Sequence, residues 1–301
     1  MARITAIVLG AAAGGGFPQW NCRCRVCTLA WDGDPRVSAR TQASLAVSAD
    51  RERWTLFNAA PDLRAQLTAT PALHPRGASR MSPIGAVVLT GGEIDQTAGL
   101  LNLRERQPFA IHATAETLAA LGDNPMFNAL APDVVTRNAV LPGTPFALPG
   151  GIAAELFVVP GKVPLYLEQG TPKTDAETGA NVGVEITAQG ARLCFVPGAA
   201  AMTPALHARL ARADAVLFDG TLFTDDEMIA SGTGTKTGRR MGHMPMTGAD
   251  GSLTALSGLG NRRIYIHINN TNPVLIDGSA ERACVEAAGW EVAADGLEIS
   301  L

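Results

Sequence analysis

Val87–Arg104 reads VVLTGGEIDQTAGLLNLR, and the rest of the chain is understood from it. The apolar run Ala86–Leu89 predicts a buried strand. It stops at Thr90-Gly91-Gly92 and then presents two carboxylates, Glu93 and Asp95. A helical pattern follows from Gln96 to Arg104, with Ala98, Leu101 and Leu103 on its apolar face. Carboxylates two residues apart in a turn leaving a strand can both face the crevice beyond a sheet's carboxyl edge, where α/β proteins bind ligands. An acidic turn can equally be a helix cap or a solvated loop, so the residues alone leave both readings open.

Toward the carboxyl terminus, further apolar runs end in polar or glycine turns: Val158-Val159-Pro160-Gly161, Leu193–Gly198, and Ala215–Phe218 followed by Asp219-Gly220-Thr221. Asp219 either shares the crevice of Asp95 or caps its Asp-Gly turn. Gly232–Arg240 is rich in Gly and Thr and carries Lys236, Arg239 and Arg240. Beside a crevice, such arginines can clamp a carboxylate-bearing substrate. Arg263–Pro273, RIYIHINNTNP, delivers His267 at a strand end, and its amides Asn269 and Asn270 suit the orientation of a polar substrate or water.

Toward the amino terminus, Ile4–Leu9 is a β-branched strand opening into the glycine-rich loop Gly10–Gly16, which lacks the spacing of a phosphate-cradling loop. Residues 17–30 hold Cys22, Cys24 and Cys27. Spaced C-x-C-x-x-C on a turn, these thiols can converge on a tetrahedral ion at Zn–S distances of about 2.3 Å, leaving one vertex for a distant ligand. Ser44–Ser48 and Trp54–Asn58 read as a hairpin. His74 reads as solvated, His112 as structural, and Cys194 and Cys284 as core.

Nearly half of the 301 residues are hydrophobic, enough for the core of one large domain, expected to span 1–301. A net charge of −4 argues against nucleic acid or an anionic membrane surface as partner. No apolar run reaches the ~20 residues of a membrane span and no signal segment precedes Ile4, so a cytoplasmic location is expected. Clustered cysteines fit a metal site in a reducing compartment.

The Gly91–Gln96 turn resembles the first motif of the metallo-β-lactamase superfamily, His-x-His-x-Asp-His, whose positions fall here on Gly91, Glu93, Asp95 and Gln96. Only the aspartate is kept. Gly161 and Gly198 stand where that superfamily supplies another metal histidine and a bridging aspartate, while His267 matches its last motif. Taken with the Cys22–Cys27 stretch and the His267–Pro273 run, the chain is most similar to the pyrroloquinoline quinone (PQQ) biosynthesis protein B family.

That resemblance implies a four-layer αββα sandwich and a structural Zn2+ held by Cys22, Cys24 and Cys27 and closed by His243. The strand ends themselves gather Glu93, Asp95 and His267, with Gln96 and Asp219 as further members, into the candidate active site. With Glu93, Asp95 and His267 as metal ligands, an oxygen-rich site suits Fe2+ or Mn2+ at least as well as Zn2+. It falls one histidine short of the facial arrangement of non-haem iron oxygenases. The resemblance implies an iron-dependent hydroxylase, with O2 as co-substrate, acting on the tyrosine of a peptide-derived Glu-Tyr precursor of PQQ. Lys236, Arg239, Arg240, Asn269 and Asn270 would then bind the substrate. A non-catalytic carrier of PQQ or its precursor is the second reading, and a degenerate metallo-hydrolase the third. Other PQQ biosynthesis proteins or a second copy of the chain are the macromolecular partners the resemblance allows.

Overall fold

Six strands of the first half, β1 (Thr5–Gly10), β2 (Ser44–Ser48), β3 (Trp54–Phe57), β4 (Ile84–Val88), β5 (Phe109–Ala113) and β6 (Val135–Ala139), lie in one sheet. The next seven form a second: β7 (Phe146–Leu148), β8 (Ile152–Val158), β9 (Val182–Ala188), β10 (Ala191–Val196), β11 (Ala215–Asp219), β12 (Arg262–Ile266) and β13 (Trp290–Val292). The last strand, β14 (Glu298–Ser300), returns to pair antiparallel with β1. The spatial orders are β14-β1-β2-β3-β4-β5-β6 and β13-β12-β11-β10-β9-β8-β7. This computed structural model describes residues 3–77 and 79–301. Met1 and Ala2, part of the amino-terminal reading, and Ala78, part of the Pro71–Pro83 loop, lie outside the described residues.

Alternation along the strands creates the layers. In β11, Leu217 points into the core between the sheets, where Phe57, Val88 and Ile264 meet it. Its neighbours Val216 and Phe218 face outward, toward Leu206 and Leu210 of the helix Pro204–Leu210 and Val285 of the helix Ala280–Ala287. On the far side, Leu56 and Val87 pack against Leu63 of the helix Leu63–Ala69 and Leu121 of the helix Ala115–Gly122. The order is helices, sheet, sheet, helices. The expected hairpin is present, with Leu45 opposite Phe57. Among the described residues no helix is long and apolar enough to cross a membrane.

Two expectations change. The Gln96–Arg104 helix is a single α-turn, Ile94–Thr97, followed by a 3-10 stretch, Ala98–Leu103. Gly99 donates its N–H sideways to the Ala59 carbonyl at 2.8 Å, so that amide is lost to the α-helical ladder. A Cβ at Gly99 would land on the Ala60 carbonyl, so glycine is required for this approach. Cys284, read as core, is exposed.

The parallel strands β3 to β6 and β10 to β13 all end on one side. There the two sheets are stitched by main-chain bonds: Ile268 N–H to Ala11 O at 2.9 Å, Ala13 N–H to Ile268 O at 2.9 Å, and Val182 N–H to Thr90 O at 2.9 Å. Asn58 holds the exit of β4 with its carboxamide, accepting from Thr90 N–H at 2.9 Å.

Candidate metal centre and crevice

Asp219 ends β11 with no exposed surface at all. A carboxylate this buried must be compensated, and four donors surround it. Ala199 N–H (2.9 Å) and His243 Nδ1 (2.8 Å) donate to Oδ2, while Thr221 N–H (3.1 Å) and Thr221 Oγ1 (2.6 Å) donate to Oδ1. Thr221 has one hydroxyl proton, and the short contact assigns it to Asp219. The same oxygen lies 2.9 Å from His267 Nδ1, so it accepts there. His267 in turn reaches Asp95 Oδ2 from Nε2 at 2.9 Å and stacks on His243 with ring centroids 5.1 Å apart. One ligand atom each from Asp219, His243 and His267 lie within 4.8 Å of one another.

Charge follows from this geometry. Burial works to push the Asp95 and Asp219 carboxyls up, but the facing imidazoles outweigh it and hold both below the usual carboxylate range. Burial also disfavours the charged form of His267, yet its bond to Asp95 and the nearby Asp219 and Glu93 leave its affinity for a proton raised. His267 has φ +58°, a left-handed conformation that L-residues rarely adopt. The main-chain bonds flanking Ile268 hold it there.

The crevice over these groups has a volume of about 220 Å³ and is also bordered by Gln96, Lys162, Asn181 and Asn269. Glu93 reaches its rim, but its carboxylate accepts from Lys162 Nζ and Leu165 N–H, both at 3.0 Å, rather than joining Asp95 and His267. Gln96 accepts from Glu93 N–H at 3.3 Å. The glycines at superfamily ligand positions are filled rather than vacant. A Cβ on Gly91 would lie 2.6 Å from Gln96 Oε1, and one on Gly161 would land on the Asn181 carboxamide. A Cβ on Gly198 would lie 3.3 Å from the His243 ring.

Lys236, Arg239 and Arg240 do not border the crevice. Arg239 pairs with Asp250 at 2.7 Å, and Arg240 lies 3.5 Å from Glu168. The cation at the rim is Lys162, held between Glu93 (3.0 Å) and Glu168 (2.9 Å).

The cysteines form their own cluster. Cys22 Sγ accepts from Cys24 N–H and Cys24 Sγ from Cys27 N–H, each at 3.4 Å, as the helix Arg25–Trp31 begins. His243 is not with them, because its Nδ1 is committed to Asp219. The group facing the thiols is Asn270, whose Nδ2 lies 3.2 Å from Cys22 Sγ and 3.3 Å from Cys27 Sγ. Thus Asn269 borders the crevice while Asn270, in the turn closed by Asn272 N–H on Asn269 O, faces the sulfurs.

The model of the beta-lactamase superfamily domain matches residues 53–268. "Coenzyme PQQ synthesis protein B" of Methylobacterium nodulans is 58% identical over 297 residues, spanning 98% of this chain and 99% of that protein. Its namesake in Rhizobium meliloti is 55% identical over 296 residues, spanning 98% and 97%. This chain belongs to the coenzyme PQQ synthesis protein B family. A crystal structure of Zn2+-bound PqqB from Methylobacterium extorquens matches with a TM-score of 0.97 at 54% identity, covering 99% of this chain and 100% of that one. A diphosphatase of the PhnP family, at 19% identity and TM-score 0.68 over 99% and 98% of the two chains, shares the fold.

Within this family fold both clusters suit a metal. Three sulfurs receiving N–H bonds, with a side-chain amide opposite, suit a closed zinc site. The amide's oxygen and nitrogen ends are interchangeable by rotation, so Asn270 can turn its oxygen, the end able to ligate, toward an ion. Asp219, His243 and His267 offer nitrogen and oxygen to a borderline or hard ion.

Sequence reasoning missed the crevice placement of His243 and the contributions of Thr221, Lys162 and Asn181. Asp219-Gly-Thr221 was legible as a strand-end turn, and Lys162 follows a strand-end Pro-Gly. Neither pattern says which way its side chain points.

Thr221 orients His267 through Nδ1, so Thr221→Val is expected to weaken crevice metal binding about 10–100-fold while Thr221→Ser keeps most of it, as Co2+ titration would read. Glu227 is buried, accepting from Thr271 Oγ1 (2.5 Å) and Phe223 N–H (2.7 Å), and burial pushes its carboxyl up to about 7 despite those bonds. A raised carboxyl favours the folded state below its ordinary value, and this contribution is lost as pH rises through about 7. Denaturation between pH 5 and 8 should therefore show wild type losing about 3 kcal/mol relative to Glu227→Gln. Parallel pH profiles would contradict that assignment.

Proposed function

We propose that this chain takes part in PQQ synthesis as a single-metal oxygenase, an iron-dependent hydroxylase of the tyrosine ring in a Glu-Tyr-derived precursor. Family membership supports the pathway. The observation that carries the chemistry is the second histidine: with His243 beside His267 and Asp219, the centre gains the two-histidine, one-carboxylate donor set that suits non-haem Fe2+. Mn2+ and Zn2+ are bound by the same donor types.

Asp219, His243 and His267 would hold the ion, with Thr221 fixing the His267 ring through Nδ1 and leaving Nε2, here bonded to Asp95, as its ligand atom. Iron, when bound, supplies the capacity to activate O2. Loading releases the proton between His267 Nε2 and Asp95. Hydroxylation places one atom of O2 in a ring C–H bond and releases the other as water, drawing two electrons and two protons from an external reductant. The Gln96 and Asn181 amides border the crevice and offer hydrogen bonds to a polar substrate. A hydrolase with two ions about 3.5–4 Å apart is disfavoured by the amides that fill the space beside Gly91 and Gly161.

Anaerobic Fe2+ titration of the zinc-replete protein, followed by a Glu-Tyr dipeptide, a reductant and O2, tests the reading. Wild type is expected to bind one crevice iron and form the hydroxylated dipeptide, while Asp95→Ala with His267→Ala does neither. If no iron binds but PQQ or its precursor does, the chain is a carrier. Cys24→Ser is expected to release about one zinc and lower the melting temperature while the crevice still binds its ion. Unchanged zinc content would remove the cysteine cluster from the account.

A further inference from the structure

A carboxamide has one donor end and one acceptor end, and a neighbour of fixed character decides which end faces it. Three carboxamides border the crevice: Gln96, Asn181 and Asn269. Each has one end claimed by such a neighbour. Asn181 lies 3.1 Å from Gly198 O and 3.4 Å from Pro160 O, carbonyls that only accept, so its Nδ2 is turned to them. Asn269 lies 3.1 Å from the Met228 thioether, which also only accepts, and 2.6 Å from Thr271 Oγ1, whose own proton goes to Glu227. Its Nδ2 is thereby engaged. Gln96 meets the Glu93 N–H, which only donates, so its Oε1 is the end engaged, at 3.3 Å.

The remaining ends have the opposite character. Asn181 Oδ1, Asn269 Oδ1 and Gln96 Nε2 bond no described residue, and none of them is a buried atom without a partner, so each stays open in a residue that borders the crevice. The polarity of the lining is therefore fixed by the fold: two acceptors and one donor. Among the described residues bordering the crevice, the single Lys or Arg is Lys162, and Glu93 at 3.0 Å and Glu168 at 2.9 Å already meet its charge. Away from the ion, a ligand carboxylate would set acceptor oxygens against acceptor oxygens with no free cation to offset them. An amine supplies the donors those oxygens lack.

We propose that Asn181 and Asn269 determine the specificity of the crevice, their side-chain oxygens selecting a ligand that presents a primary amine or ammonium group, while Gln96 Nε2 donates to a carbonyl on the same ligand. Met228 and Thr271 are positioning residues for Asn269, as the Pro160 and Gly198 carbonyls are for Asn181. The inference rests on the crevice being the ligand site and adds that it reads the amino end of its ligand rather than the carboxyl end.

Calorimetric titration of the zinc-replete protein with Glu-Tyr, N-acetyl-Glu-Tyr and Glu-Tyr carboxamide tests the two ends separately. Acetylation is expected to weaken binding about tenfold or more, the worth of one hydrogen bond to a charged group, whereas capping the terminal carboxylate leaves it within about twofold. Asn181→Ala with Asn269→Ala should erase the difference between Glu-Tyr and its acetylated form. Met228→Leu with Thr271→Val keeps every crevice side chain and only frees the Asn269 amide to turn, so it should reduce that difference, while Thr271→Ser alone preserves it. Equal binding of Glu-Tyr and its acetylated form to wild type, a greater loss from capping the carboxylate, or a preference that survives in the alanine variant overturns the inference and leaves the crevice reading standing. If circular dichroism shows the alanine variant unfolded, an undiminished preference in Met228→Leu with Thr271→Val overturns it instead. Binding of none of the three ligands overturns both.

Discussion

A charge with no exposed surface, the Asp219 carboxylate, sets the terms for the functional edge of the molecule. Leaving it unpaired there would cost several kcal/mol. The fold meets that cost with main-chain N–H groups from Ala199 and Thr221, the Thr221 hydroxyl and the His243 ring. Thr221 follows β11 directly while Ala199 and His243 come from other loops, so compensating one charge brings three pieces of chain together. His267 joins through the hydroxyl that already serves Asp219, and Asp95 joins through His267.

This concentration of polar groups is possible because the sheets are tied at the same edge. Main-chain bonds from Ile268 to Ala11 and Ala13, and from Val182 to Thr90, cross between the two sheets there. They hold His267 in a left-handed conformation that it would otherwise leave. The segment beyond it divides its labour: Asn269 to the crevice, Asn270 to the thiols, Thr271 to Glu227. A change at the cysteine cluster is therefore only a few covalent bonds from the crevice.

The degenerate motif also acquires a physical meaning. At Gly91, Gly161 and Gly198, where the superfamily resemblance places ligands, the adjoining space holds the Gln96 and Asn181 amides and the edge of the His243 ring. Restoring histidine at Gly91 or Gly161 would meet a side chain already in place.

Much of this was legible in the residues themselves. Apolar runs ending in Gly, Asp or His marked β4, β11 and β12 and the edge where their ends gather, because strands covered on both faces read as unbroken apolar stretches. The cysteine spacing marked a metal cluster for the same local reason. What the sequence could not decide was partnership between distant residues. His243 was equally free to face sulfurs or carboxylates, and the buried Asp219 claimed it. Lys236, Arg239 and Arg240 had the charge to bind substrate, yet Asp250 and Glu168 engage the two arginines while Lys162 reaches the rim. Composition and period set which segments are buried and where they end. Only the packed tertiary structure, by requiring every buried charge to find a partner, decided which side chains share the centre.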